Sequence, residues 1–229
     1  MYRRRFLQSL VPLTAAVIAA GCNVPPKATI PSTRFQGRTR VSCVGDSITA
    51  GAGLANPSIE AYPAVLAQIL GGSYDVRNFG VSGATLLKDG DIPYASTPAY
   101  EDARYFLPKV VVIALGTNDS KPRNWRHRNA FERDLFNLTR AFLTLPSLPT
   151  VYVCTPPTVF QDRWGITAAI TSREIAPKIR RISARQAWPV IDLEIATRHS
   201  PEHFPDGIHP NALGSASLAA TIAAAFRGH

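Results

Sequence analysis

The chain predicts an α/β fold, a parallel sheet of five strands covered by helices on both faces. Two patterns carry this. From Val41 onward, short apolar runs alternate with amphipathic helical stretches, the signature of successive βα units. One run, Val110 to Leu115 (Val-Val-Val-Ile-Ala-Leu), is apolar without a break, as strands buried on both faces of a parallel sheet are. Length agrees: 229 residues, 45% hydrophobic and 18% charged, suit one large core and give no sign of a second domain.

The elements follow in order. Residues 1–21 read as a lipoprotein-type signal peptide. Arg3-Arg4-Arg5 is its positive start, Leu10 to Ala20 its apolar stretch, and Ala19-Ala20-Gly21-Cys22 its small-residue end. The apolar stretch is far shorter than the roughly 20 residues a membrane-spanning helix needs. Arg3-Arg4-Arg5-Phe6-Leu7-Gln8 also looks like a twin-arginine export signal. Ala-Ala-Gly-Cys resembles a bacterial lipoprotein box, which implies lipid on Cys22 and an exported, envelope-anchored protein. An ordinary secretory signal with an incidental cysteine is the alternative. Residues 22–40, with Pro25, Pro26 and Pro31, read as a flexible tether.

Residues 41–229 form the folded domain. Strands are expected at Val41–Gly45, Tyr74–Asn78, Val110–Leu115, Thr150–Cys154 and Val190–Leu193. Helices are expected at Tyr62–Leu70, Ala130–Leu145, Ser172–Gln186 and Asn211–Phe226, the last introduced by Pro210. The stretch Lys88–Tyr105 reads as an irregular loop long enough to have a task, such as rimming a substrate site.

The formal charge of +9 falls to +6 once the three arginines at positions 3–5 are set aside. The remaining basic residues are scattered rather than interleaved with aromatics on one face, so nucleic acid is not an expected partner. Cys43 and Cys154 lie inside expected strands and read as free buried thiols. A disulfide between them would need their Cα atoms within about 7 Å. No His or Cys cluster has metal-ligand spacing, so a bound metal is not expected. Nothing in the sequence sets an oligomeric state.

Four short motifs fall at expected element ends: Gly45-Asp46-Ser47, Gly80-Val81-Ser82-Gly83, Gly116-Thr117-Asn118-Asp119 and Asp206-Gly207-Ile208-His209. Ligand sites in open parallel sheets lie at the carboxyl ends of the strands. Ser82 is a rival to Ser47, because Gly80-Val81-Ser82-Gly83-Ala84 nearly matches a Gly-x-Ser-x-Gly elbow. That elbow must open a helix, and Lys88-Asp89-Gly90-Asp91 follows too soon. Ser82 therefore reads as a loop residue.

In combination, Ser47, Gly83, Asn118 and His209 resemble the GDSL or SGNH hydrolase family, and the likeness runs from Val41 through the final helix. It implies a flavodoxin-like three-layer α/β/α sandwich. It also implies that Ser47 is the nucleophile, His209 its base and Asp206 the carboxylate that orients the imidazole. The Ser47 and Gly83 amides and the Asn118 side chain would then form the oxyanion hole. Asp46 and Asp119 read as loop-ordering carboxylates. Trp125, Trp164, Tyr94 and Tyr100 either stack on sugar rings or pack beneath the loops. The motif context looks most like carbohydrate O-acetylesterases, which implies a glycan ester substrate and no cofactor. Lysophospholipase or thioesterase activity, a glycan O-acetyltransferase and a non-catalytic glycan-binding lipoprotein are the alternatives.

Overall fold

The computed structural model describes residues 37–227. The expected signal segment, Cys22 and most of the tether lie outside the described residues. The chain forms, in order, β1 (Thr39–Gly45), α1 (Ser47–Ala50), α2 (Pro57–Glu60), α3 (Tyr62–Leu70), β2 (Tyr74–Gly80), α4 (Pro98–Tyr105), β3 (Val110–Ala114) and α5 (Pro122–Trp125). Then come α6 (Phe131–Leu143), β4 (Thr150–Cys154), α7 (Ala168–Ile170), α8 (Ala176–Gln186), β5 (Val190–Ile191), α9 (Leu193–Thr197) and α10 (Ala212–Arg227).

All strand pairs are parallel, in the order β2-β1-β3-β4-β5. The chain winds outward from β1 to β2, then reverses to β3 on the other side. The strand order therefore switches between β1 and β3, the point beside which open parallel sheets place their ligand sites, at the carboxyl edge. Gly45, the last residue of β1, is in register with Ala114, the last of β3, so the loops after both strands meet there.

Alternation along each strand splits the core in two. Val44, Val111, Ile113, Val151 and Val153 face α6 and α8, packing on Phe131, Leu135, Phe142, Ile175 and Ile179. Val41, Cys43, Val112, Tyr152 and Cys154 face α3 and α10, packing on Leu66, Leu218, Ala219 and Ile222. This is the three-layer sandwich expected. Each large apolar side chain buried this way contributes about 1.5–3 kcal/mol. Cys43 and Cys154 are free and buried, and burial pushes the Cys43 thiol up to about 12.

Several boundaries differ from the sequence reading. Thr39 and Arg40, assigned to the tether, already pair with Tyr74 and Asp75 in the sheet. Strand β5 stops at Ile191, because the Asp192 side chain accepts the Ile195 amide hydrogen and starts α9. The stretch Lys88–Tyr105 is not wholly irregular. Thr97 caps the two-turn helix α4, whose first residue is Pro98. The expected helix Ser172–Gln186 begins earlier, at Ala168, and passes through a π-helical turn at Thr171–Ile175.

Candidate active site

Ser47 opens α1 immediately after β1. Asp46 caps this helix, its carboxyl accepting the Ile48 amide hydrogen at 3.0 Å. Asn78 on β2 donates to the Thr49 carbonyl at 2.7 Å and clamps α1 onto the sheet edge. Gly80 makes that clamp fit, since a Cβ there would lie 2.3 Å from the Ala50 backbone nitrogen.

The partner of Ser47 arrives from the far end of the chain. Ser47 Oγ lies 2.9 Å from His209 Nε2. His209 Nδ1 lies 2.8 Å from Asp206 Oδ2. With Nδ1–H donating to the carboxylate, Nε2 is left as the acceptor for the serine hydroxyl. Asp206 Oδ1 also accepts the amide hydrogens of Ile208 at 2.8 Å and His209 at 2.7 Å. Partial burial opposes its ionisation, but these bonds and the imidazole outweigh it and hold the carboxyl below its usual range. A further bond from the Phe160 amide to the Gly207 carbonyl, at 2.8 Å, fixes the turn itself.

The remaining two motifs meet beside this chain of contacts. The Val81 amide donates to the Gly45 carbonyl at 3.0 Å, which carries Gly83 toward Ser47. Gly83 has φ +82, a left-handed conformation that a side chain would strain. Asn118 is buried and its Nδ2 donates to the Ala84 carbonyl at 3.2 Å. Asp119, also buried, accepts from the Leu86 amide at 2.9 Å and the Leu87 amide at 2.7 Å. Burial raises Asp46 to about 6 and Asp119 to about 7, although backbone amides bonded to each favour the charged form. Both carboxyls order loops, as expected. Ser82 is exposed in the turn and opens no helix.

Sequence reasoning missed part of the support. Asn124 Oδ1 accepts the Asp91 amide hydrogen at 3.0 Å, and its Nδ2 donates to the Asn118 carbonyl at 2.8 Å. Asp134 on α6 accepts from the Lys88 amide at 3.0 Å. Together with Asp119, these side chains tie the loop after β2 to the loop after β3. A polar Asp134 inside an amphipathic helix was the one visible hint.

The four aromatics divide. Tyr94 and Trp125 are buried, Tyr94 donating to the Phe79 carbonyl at 2.8 Å and Trp125 Nε1 donating to Glu174 at 2.8 Å. Tyr100 packs edge-on against Tyr94 and Phe142. Trp164 alone of the four is exposed, with its ring centroid 5.4 Å from that of His209. Among the described residues, no group of three or more His, Cys, Asp or Glu side chains has the geometry to hold a metal.

Chemically, a hydroxyl bonded to an imidazole, itself bonded to a partly buried carboxylate, is a device for deprotonating the hydroxyl as it attacks. The chain is 38% identical over 206 residues to an acetylxylan esterase of Xylanibacter ruminicola, a match covering 82% of this chain and 43% of that one. This chain thus spans under half the length of that relative. In three dimensions it resembles a carbohydrate acetylesterase from Sinorhizobium meliloti, with TM-score 0.69 at 22% identity, covering 83% of this chain and 99% of that one. The aryl esterase of M. smegmatis gives the same TM-score, identity and coverage. These two likenesses are of fold. The model of the GDSL-like lipase/acylhydrolase family matches residues 43–216, a span holding all four motifs, and the chain belongs to that family.

Proposed function

We propose that this protein is a serine esterase that removes acetyl groups from carbohydrate esters. The observation that carries the reading is the continuous chain Ser47 Oγ, His209 Nε2, His209 Nδ1, Asp206 Oδ2, with contacts of 2.9 and 2.8 Å. Its substrate class is supported by the 38% identity to an acetylxylan esterase.

Ser47 Oγ attacks the ester carbonyl while its proton passes to His209 Nε2. The carbonyl electrons move onto oxygen, where the Ser47 and Gly83 amides and Asn118 Nδ2 stabilise the charge. Removing one such donor typically lowers kcat by about 10²–10³. The tetrahedral adduct collapses, the bond to the sugar oxygen breaks, and His209 returns the proton to that oxygen. Water then enters, loses a proton to His209 and attacks the acetyl-Ser47 ester. Acetate leaves and Ser47 regains its hydrogen. Throughout, Asp206 stabilises the imidazolium without taking its proton.

The reading includes export. The basic and apolar segment ending at Cys22 supports a lipoprotein signal, with the mature chain held at a membrane of the cell envelope through lipid on Cys22 and the domain carried by the tether.

Acetate release from acetylated xylan and from nitrophenyl esters of increasing chain length tests the activity. The expected result is turnover of acetyl esters that falls with acyl length and vanishes in Ser47→Ala. Turnover rising toward long acyl chains would make the protein a lipase instead. Radiolabelled palmitate on the wild type, lost in Cys22→Ser, tests the anchor.

A further inference from the structure

Trp164 stands exposed beside the imidazole of His209. The reading of the site as a carbohydrate esterase, on which this inference rests, requires His209 Nε2 to protonate the departing sugar oxygen. The ring bearing that oxygen must therefore lie beside the imidazole. The Trp164 ring centroid is 5.4 Å from the His209 ring, inclined at 49°. The Arg163 guanidinium lies 4.6 Å from the Trp164 centroid and steadies the ring. With both neighbours in place the residue remains 56% exposed, whereas Trp125 is 3% exposed.

Local backbone preference does not explain a tryptophan there. Arg163 and Ile166 exchange backbone hydrogen bonds at 3.2 and 2.8 Å, closing a two-residue hairpin loop. Its central residues, Trp164 and Gly165, have φ +52 and +81. Such turns favour Asn-Gly or Asp-Gly, and a bulky aromatic at the first position is strained. Strain retained next to a reactive group points to a task for the side chain. The platform is also firmly mounted. Ile166 packs with Val159 and Ile208, the residue preceding His209, and Ser120 accepts the Thr167 amide hydrogen at 3.0 Å.

The geometry points to Trp164 as the stacking platform for the sugar ring of the leaving alcohol, with Arg163 beside it to bond ring hydroxyls. Pyranose rings offer a flat face of C–H groups that suits an indole, and the alcohol side of the reaction is the side Trp164 borders. The residue sets selectivity among alcohols and leaves the chemistry at Ser47 to the other groups.

The test compares kcat and KM of the full chain and its Trp164→Ala, Trp164→Phe and Trp164→Asn variants on an acetylated xylo-oligosaccharide and on ethyl acetate, whose alcohol has no ring. Trp164→Ala is expected to lose at least tenfold more kcat/KM on the oligosaccharide than on ethyl acetate, chiefly through KM, and Trp164→Phe to recover most of it. Trp164→Asn, which installs the favoured turn dipeptide, is expected to raise Tm while losing the oligosaccharide as Ala does. In a Ser47→Ala background, calorimetric affinity for the oligosaccharide is expected to drop about tenfold on Trp164→Ala. Equal losses on both esters, or no loss on the oligosaccharide, would overturn the platform alone. A wild type that cleaves ethyl acetate but no acetylated glycan would overturn the carbohydrate reading, and the platform with it.

Discussion

The Asp119 carboxyl accepts the Leu87 amide hydrogen at 2.7 Å across 32 residues of chain. With the companion bond to Leu86, it locks the loop carrying Gly83 against the loop carrying Asn118. The positions of both oxyanion candidates thus rest in part on one buried side chain next to Asn118.

Asp119→Ala strands two buried amides, and each unpaired group costs about 1–3 kcal/mol. Urea unfolding is expected to show a loss of at least about 2 kcal/mol. Turnover of an acetyl ester by the fraction still folded should fall at least tenfold, because Gly83 is no longer held. Stability and turnover both unchanged would show that the two loops are aligned by other contacts.

Burial raises Asp46 to about 6 and Asp119 to about 7. A carboxyl that holds its proton more tightly when folded adds stability below its unfolded range near pH 4, and that gain disappears as pH rises toward 7. Melting temperatures across pH 4–7 should therefore decline less steeply in Asp46→Asn and Asp119→Asn than in the wild type, whatever the absolute level. Asp206 acts in the opposite sense. Its lowered value lends stability above the usual carboxylate range, lost only as pH falls below it. An identical slope in all three proteins would contradict the assignment of buried protons to these two carboxyls.

Much of this architecture is legible in the sequence, and the exceptions have causes. Tyr62–Leu70 and Thr150–Cys154 match to the residue, because apolar period and turn residues agree at both ends. Helix α4 was hidden in a stretch with two prolines and several charges, although Thr97-Pro98 is a legitimate cap and first turn. The pairing of Ser47 with His209 could be read only from motif order, since no local pattern reaches across a separation of 162 positions. Of the supporting side chains, Asn124 left no sign and Asp134 only a polar position in an amphipathic helix, because long-range side-chain-to-backbone bonds leave no periodic trace. The aromatic question was undecidable for the same reason. Only tertiary packing separates buried Trp125 from exposed Trp164.

Gly80→Ala places a methyl 2.3 Å from the Ala50 nitrogen and 2.8 Å from the Thr49 carbonyl carbon. Both are backbone atoms, so α1 must shift. Overpacking of this kind costs typically 1–3 kcal/mol. Thermal unfolding should show the loss. Because α1 carries Ser47, kcat should fall more than stability alone explains.

Asp206→Asn preserves the shape of the turn but removes the charge that holds His209 in its tautomer. In triads of this type such a change lowers kcat by about 10⁴. Pre-steady-state and steady-state ester hydrolysis should show the loss in acylation and deacylation alike, with KM little changed. A loss under tenfold would make Asp206 a turn residue only.

Peptide mapping after treatment with a serine-reactive phosphonate probes most directly whether Ser47 is the activated nucleophile. The account expects one covalent adduct, on the peptide holding Ser47, absent in Ser47→Ala and strongly slowed in His209→Ala. An adduct on Ser82, or labelling of Ser47 that proceeds undiminished without His209, would contradict it.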